Sequence, residues 1–195
     1  MCGIAGFISR SKDPLDCLER MAKAIYHRGP DDHGVWFDRE CGVGFAHTRL
    51  SILDLSHAGH QPMESNSGRY MMVFNGEIYN HQTIRNELNT TLVTNWRGHS
   101  DTETLLAGFD TWGVEGTLKK STGMFAIAIW DKQTNVLTLT RDRIGEKPLY
   151  YGWQGDTFLF GSNLAALKEH SAFKSEINRD AIALTTPHIP PIIAD

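Results

Sequence analysis

An α+β fold of antiparallel sheets layered with helices is what the sequence predicts, on three observations. Short apolar runs recur along the chain, turn-forming residues cluster between them, and only three segments carry helical periodicity. Because the strands do not alternate regularly with helices, a parallel βαβ sheet is disfavoured. The 195 residues, 41% hydrophobic and 22% charged, suit one compact soluble domain. Lys plus Arg number 19 and Asp plus Glu 23, a net charge of −4. No basic field is present to attract nucleic acid or an anionic membrane. The longest apolar stretch, Met124 to Trp130, is too short to span a bilayer.

In order along the chain, Gly3 to Ser9 reads as a buried strand. Leu15, Leu18, Met21, Ala22 and Ile25 then form one helical face started by Asp13 and Pro14. After the turn-rich His27 to Gly34, Val35 to Phe37 and Gly42 to Leu50 read as strands, and Ser51 to Arg69 as a long polar loop of the kind that usually carries function. Tyr70 to Asn75 reads as a strand ending at Asn75-Gly76, a strong turn signal. His81 to Leu88 is a short helix. Ser100 to Glu103 has the form of a capping box, starting a helix with Leu105, Leu106, Phe109 and Trp112 on its apolar face and an end at Gly113. Met124 to Trp130, Val136 to Thr140, Leu149 to Trp153 and Thr157 to Gly161 are strands spaced closely enough for antiparallel hairpins.

Taken singly, the chemically capable residues have ordinary explanations. A free cysteine is most often a small buried apolar residue, Asn-Gly a turn, an arginine at a strand end a surface ion pair, and an aspartate before a helix its cap. Cys2 differs by position. With Met1 removed, its thiol would share a residue with a free α-amine, whose pKa of about 7.7–8.0 suits a general base. Asn75 and the Gly76 N–H could aim two donors at one oxyanion. Three cysteines, Cys2, Cys17 and Cys41, with no C-x-x-C pair, fit a reducing cytoplasm rather than a disulfide framework or a zinc knuckle.

Several ordered motifs tie these residues together: Met1-Cys-Gly-Ile-Ala-Gly-Phe7, His27-Arg-Gly-Pro-Asp31, His47-Thr-Arg-Leu-Ser-Ile-Leu-Asp54, Phe74-Asn-Gly-Glu-Ile-Tyr-Asn80, Gly98-His-Ser-Asp-Thr-Glu103, Gly123-Met-Phe-Ala126 and Arg141 to Tyr151. Over residues 1–184 the chain resembles the class II glutamine amidotransferase domain, as found in the N-terminal half of glutamine-hydrolysing asparagine synthetases. The resemblance implies an N-terminal nucleophile hydrolase fold, a four-layer αββα sandwich of two antiparallel sheets. It also implies that Cys2 attacks the side-chain amide of L-glutamine to form a thioester, with Asn75 and Gly76 as the oxyanion hole. Arg49 would take the substrate carboxylate and Asp101 its ammonium, while Leu50, Ser51, Ile52, Leu53 and Glu77 complete the substrate contacts. A bidentate carboxylate contact suits Arg and not Lys. The loop His27 to Asp31 lies beside the site without an assigned role, and Arg141 to Tyr151 is a structural turn shaped by Gly145 and Pro148.

Hydrolysis of glutamine needs no cofactor and no metal. ATP and Mg²⁺ would enter only through an ammonia-accepting synthetase domain, in cis or in trans, and no Ser-Gly-Gly-x-Asp-Ser pyrophosphate loop occurs in the sequence. Residues 185–195 read as a divergent tail, and the resemblance also admits a homodimer. Three rival functions compete with this reading. A silent glutamine-binding module would not need Cys2. An acylase for another amide would not need both Arg49 and Asp101. A Cys–His hydrolase would use Cys17 or Cys41. A stand-alone subunit feeding ammonia to another acceptor is a further variant of the first reading.

Overall fold

The computed structural model describes residues 2–9, 14–51, 54, 56–91 and 96–176. One sheet is formed by β1 (Gly3–Ile8), β2 (Asp32–Asp38), β3 (Val43–Arg49), β8 (Tyr150–Gln154) and β9 (Thr157–Gly161), in the order β2-β3-β1-β9-β8. The second holds β4 (Met63–Glu64), β5 (Tyr70–Ile78), β6 (Gly123–Asp131) and β7 (Val136–Arg141), in sequence order. Every pairing within both sheets is antiparallel.

Side-chain alternation along these strands sorts the apolar residues into three cores. Ala5, Phe7 and Leu159 pack under helices α1 (Pro14–Ala24) and α4 (Leu164–Lys168). Met72, Phe74 and Ile127 pack under α2 (His81–Thr91) and α3 (Asp101–Lys120). Between the sheets lie Ile4, Val43, Phe45, Met71, Val73, Ala126, Ala128, Trp130 and Phe160. The layers are therefore helix, sheet, sheet, helix, the αββα sandwich that the family resemblance implied.

Several elements differ from their sequence reading. Leu15 is 47% exposed and leaves the α1 core to Cys17, Leu18, Met21 and Ala22, because the buried stripe runs through the i, i+4 pair Cys17 and Met21. β5 does not stop at Asn75-Gly76. It runs on to Ile78, with Asn75 opposite Ala126 and Gly76 opposite Phe125. Gly76 is there because a Cβ would overlap the Met124 carbonyl of the neighbouring strand, so the glycine answers close backbone approach rather than a turn.

The Ser100 hydroxyl does cap α3, accepting from the Glu103 N–H at 3.2 Å. The helix continues to Lys120 across a break at Gly113, where φ is +73°, a value that glycine adopts freely. The polar loop carries a single helical turn at His57–Gly59 and the strand β4. β7 and β8, close in sequence, fall in different sheets, so that only β6–β7 and β8–β9 are hairpins in this region. Among the described residues no helix is long and apolar enough to cross a membrane.

Candidate active site

Strand parity builds the site. Ile4, Val43, Phe45, Met71 and Val73 face the space between the sheets. Counting by twos along the same strands brings Cys2, His47, Arg49, Asn75 and Glu77 to that face, all at one end. Gly3 pairs with Thr48, so Cys2 extends the ladder to a place opposite Arg49. A cavity of about 90 Å³ opens at this end, and Cys2, Arg49, Leu50, Asn75, Gly76, Glu77 and Asp101 all line it.

Cys2 is held at both ends. Its thiol lies 3.4 Å from the Leu50 N–H and 3.7 Å from the Leu50 carbonyl, and its own carbonyl accepts from Arg28 Nε at 3.0 Å. Burial pushes the thiol pKa up, opposed by the Leu50 N–H and by positive charge at the chain terminus and on Arg49. A thiol so placed is protonated at neutral pH, and any attack through its sulfur would need a base.

Asn75 is 1% exposed, and neither its Oδ1 nor its Nδ2 has a hydrogen-bond partner among the described residues. A buried amide left unpaired costs roughly 1–3 kcal/mol, which makes Asn75 a candidate for binding a ligand. The Gly76 N–H follows from the ladder. On the β5 edge turned away from β6, the Phe74 N–H donates to Gln61 Oε1 at 2.7 Å and the Ile78 N–H to Asp101 Oδ2 at 2.9 Å. Gly76, two residues from each, presents its N–H on the same free edge. His47 Nε2 donates to the Phe74 carbonyl at 3.1 Å and fixes this stretch of strand. Complete burial lowers the His47 pKa to about 4, so its ring is neutral at working pH.

Charge is arranged in two corners. Arg49, 8% exposed, donates through Nη1 to the Ser56 carbonyl at 2.9 Å and through Nη2 to the Asp54 carbonyl. It is a buried cation on backbone acceptors, not a surface ion pair. Gly59 lies flat against the guanidinium, where a Cβ would overlap it. Asp54 secures this loop by accepting from the Ser56 hydroxyl at 2.6 Å, the Ser56 N–H at 2.8 Å and the His99 N–H at 2.8 Å. The Ser56 hydroxyl, the His99 N–H and the nearby Arg49 lower its pKa to about 2.

At the opposite corner, Asp101 is the first residue inside α3 and not its cap. It bonds the Ile78 and Thr102 N–H groups, both at 2.9 Å. Burial raises its pKa nonetheless, opposed by the Ile78 N–H and by nearby His81.

Ser51 belongs to the adjoining loop without lining the cavity: its N–H donates to Asp31 Oδ2 at 2.8 Å, which gives the His27 to Asp31 motif its structural part. Ile52 and Leu53 lie outside the described residues. Asp54, Thr102, Met124 and Lys147, which fall in the quoted motifs without an assigned contact, and Gln61, which falls in none, also line the cavity. Gln61 bridges β5 to Thr102 Oγ1, at 3.2 Å. Lys147 arrives on the turn after Arg141, which is structural as expected: Asp142 accepts the N–H groups of Gly145, Glu146 and Lys147. Cys17 and Cys41 are free thiols away from the cavity.

Comparison with known proteins agrees with this geometry. The family model of the glutamine amidotransferase domain matches residues 1–189. Asparagine synthetase [glutamine-hydrolyzing] 3 of Bacillus subtilis is 36% identical over 193 residues, covering 94% of this chain and 30% of its own length. Asparagine synthetase [glutamine-hydrolyzing] 2 of the same organism is 38% identical over 183 residues, covering 91% and 24%. The chain thus spans well under half the length of the curated relatives it matches. The glutamine phosphoribosylpyrophosphate amidotransferase structure from B. subtilis superposes with a TM-score of 0.73 over 86% of this chain and 43% of its own, at 17% identity, which establishes the shared fold. The chain belongs to the class II glutamine amidotransferase family and is related to the glutaminase domains of asparagine synthetases.

Proposed function

We propose that this domain hydrolyses L-glutamine to glutamate and ammonia through a thioester on Cys2. The observation that carries the reading is the buried Asn75 amide, without a hydrogen-bond partner among the described residues, beside the Gly76 N–H on the same cavity as the Cys2 thiol. Two donors converging where a nucleophile opens suit the tetrahedral oxyanion of acyl transfer.

The α-amine of Cys2, free once Met1 is removed, takes the thiol proton as sulfur attacks the side-chain carbonyl. The same proton passes to the departing nitrogen, the C–N bond breaks, and ammonia leaves a γ-glutamyl thioester. Water, deprotonated by that amine, adds to the thioester, and glutamate departs with the thiol restored. Arg49 forks onto the α-carboxylate and Asp101 pairs with the α-ammonium, whose charge offsets the cost of burying this carboxylate. Leu50 holds the nucleophile, and Glu77 supplies a second acceptor wall. No step in this sequence calls for a metal or a nucleotide.

The relatives are named as glutamine-hydrolysing asparagine synthetases, and we propose further, as the resemblance implies, that the ammonia is destined for an ATP-dependent domain that amidates aspartate, in cis or in trans. A glutamine hydrolysis assay with intact mass tests the first part. Activity should require loss of Met1, vanish in Cys2→Ala and survive Cys17→Ser and Cys41→Ser. Full turnover by protein that retains Met1 would contradict the assigned base.

A further inference from the structure

Outside the cavity, three donors separated in sequence come together. Asp32 opens β2, while His57 and His60 sit on and just after the turn 57–59. His60 Nδ1 lies 2.7 Å from Asp32 Oδ2, and the two imidazole rings are 5.1 Å apart at their centroids. One donor atom from each of the three lies within 4.8 Å of the other two. We propose that Asp32, His57 and His60 bind a divalent first-row transition-metal ion, and that the ion steadies the Arg49 corner of the pocket.

Two imidazoles and one carboxylate suit zinc and its neighbours, whereas Mg²⁺ and Ca²⁺ favour all-oxygen sets. Ligand bonds of about 2.0–2.2 Å around a tetrahedral ion separate their donors by roughly 3.3–3.5 Å. The His60–Asp32 contact therefore opens by roughly 0.6–0.8 Å as the ion replaces the proton the two groups share. The far edge of the His60 ring packs against Gly34, where a Cβ would stand 2.7 Å from Nε2, and this turns Nδ1 toward Asp32. His57 is exposed, so the remaining coordination position faces solvent.

The coupling follows from what flanks Arg49. Asp32 is its cross-strand partner in the β2–β3 ladder. Gly59, between the two histidines, lies on its guanidinium, and the Ser56 carbonyl next to His57 accepts its Nη1. An ion joining Asp32 to this turn ties the strand beneath Arg49 to the loop above it. This second half rests on the reading of Arg49 as the group that holds the substrate carboxylate.

The test is a titration of the whole chain with Zn²⁺ by calorimetry and thermal melting, with Co²⁺ as a spectroscopic stand-in. One equivalent should bind and raise Tm, and Co²⁺ should show a visible spectrum without a thiolate charge-transfer band. His57→Ala, at an exposed position, should keep the metal-free Tm and weaken binding by about 10-fold or more, and Asp32→Asn should do the same from the opposite side. Zinc should lower the KM for glutamine by about 5-fold and leave kcat unchanged. Undiminished affinity in His57→Ala, or a thiolate band that disappears in Cys2→Ala, would overturn the site. Binding through these residues with an unchanged KM in an active enzyme would overturn the coupling. An inactive protein that binds zinc through them would count against the glutaminase reading and support the site.

Discussion

The space between the two sheets has two ends built on the same strands, and they have opposite character. Along β3, Val43 and Phe45 at one end give way to His47 and Arg49 at the other. Along β5, Met71 and Val73 give way to Asn75 and Glu77. The dry end is closed, with Phe45 packed edge-on against Phe160 at 5.7 Å between ring centroids. The polar end holds an amide without a partner among the described residues and a carboxyl whose pKa burial raises, both at a cost in stability at neutral pH, beside a buried thiol. The lesson is that strand parity, which ordinarily fills a core, here fills a core and then a site without changing its period.

Changes at the two ends should therefore separate stability from activity. Phe45→Ala at the dry end leaves a cavity and should destabilise the fold by about 3–5 kcal/mol, read by denaturant unfolding, while the folded fraction keeps its kcat. Asn75→Ala at the polar end should lower kcat by about 10²–10³ with stability unchanged or improved, since a buried unpaired amide is removed. An effect confined to KM would speak against the oxyanion role. Arg49→Lys keeps the charge and loses the fork, and should raise KM by ~10- to 100-fold, the 1.5–3 kcal/mol typical of a charged hydrogen bond.

The smallest effect is in pH. Asp101 must be ionised to hold the ammonium, and burial raises its pKa above the usual 3.8, so KM should begin to climb, as pH falls, before an ordinary carboxyl would titrate. Asp54, shifted the opposite way to about 2, stays ionised throughout that range and keeps the Arg49 loop intact. The climb in KM should be absent in Asp101→Asn, measured from pH 7 downward.

Much of the fold was legible because apolar alternation marks strands directly: β6, β7 and β9 fall where the runs predict them. The candidate site, as the residues that line one cavity, was legible through its motifs, and Cys2 also through its position. Three things were hidden, each for a physical reason. Asn75-Gly76 has the chemistry of a turn, and only the proximity of the Met124 carbonyl shows why glycine is needed inside a strand. Asp54 and Gln61 act through hydrogen bonds to backbone across the fold, which leave no periodic trace. Asp32, His57 and His60 become neighbours only when β2 and the 57–59 turn meet over Arg49.

The central claim, that the polar end forms an acyl-enzyme on Cys2, is tested most directly by trapping. With glutamine and hydroxylamine supplied together, the thioester should be intercepted as γ-glutamyl hydroxamate by the wild-type chain and not at all by Cys2→Ala, with the folded state of both verified by melting. Hydroxamate or ammonia formed at an undiminished rate by Cys2→Ala would place the nucleophile elsewhere and contradict the account.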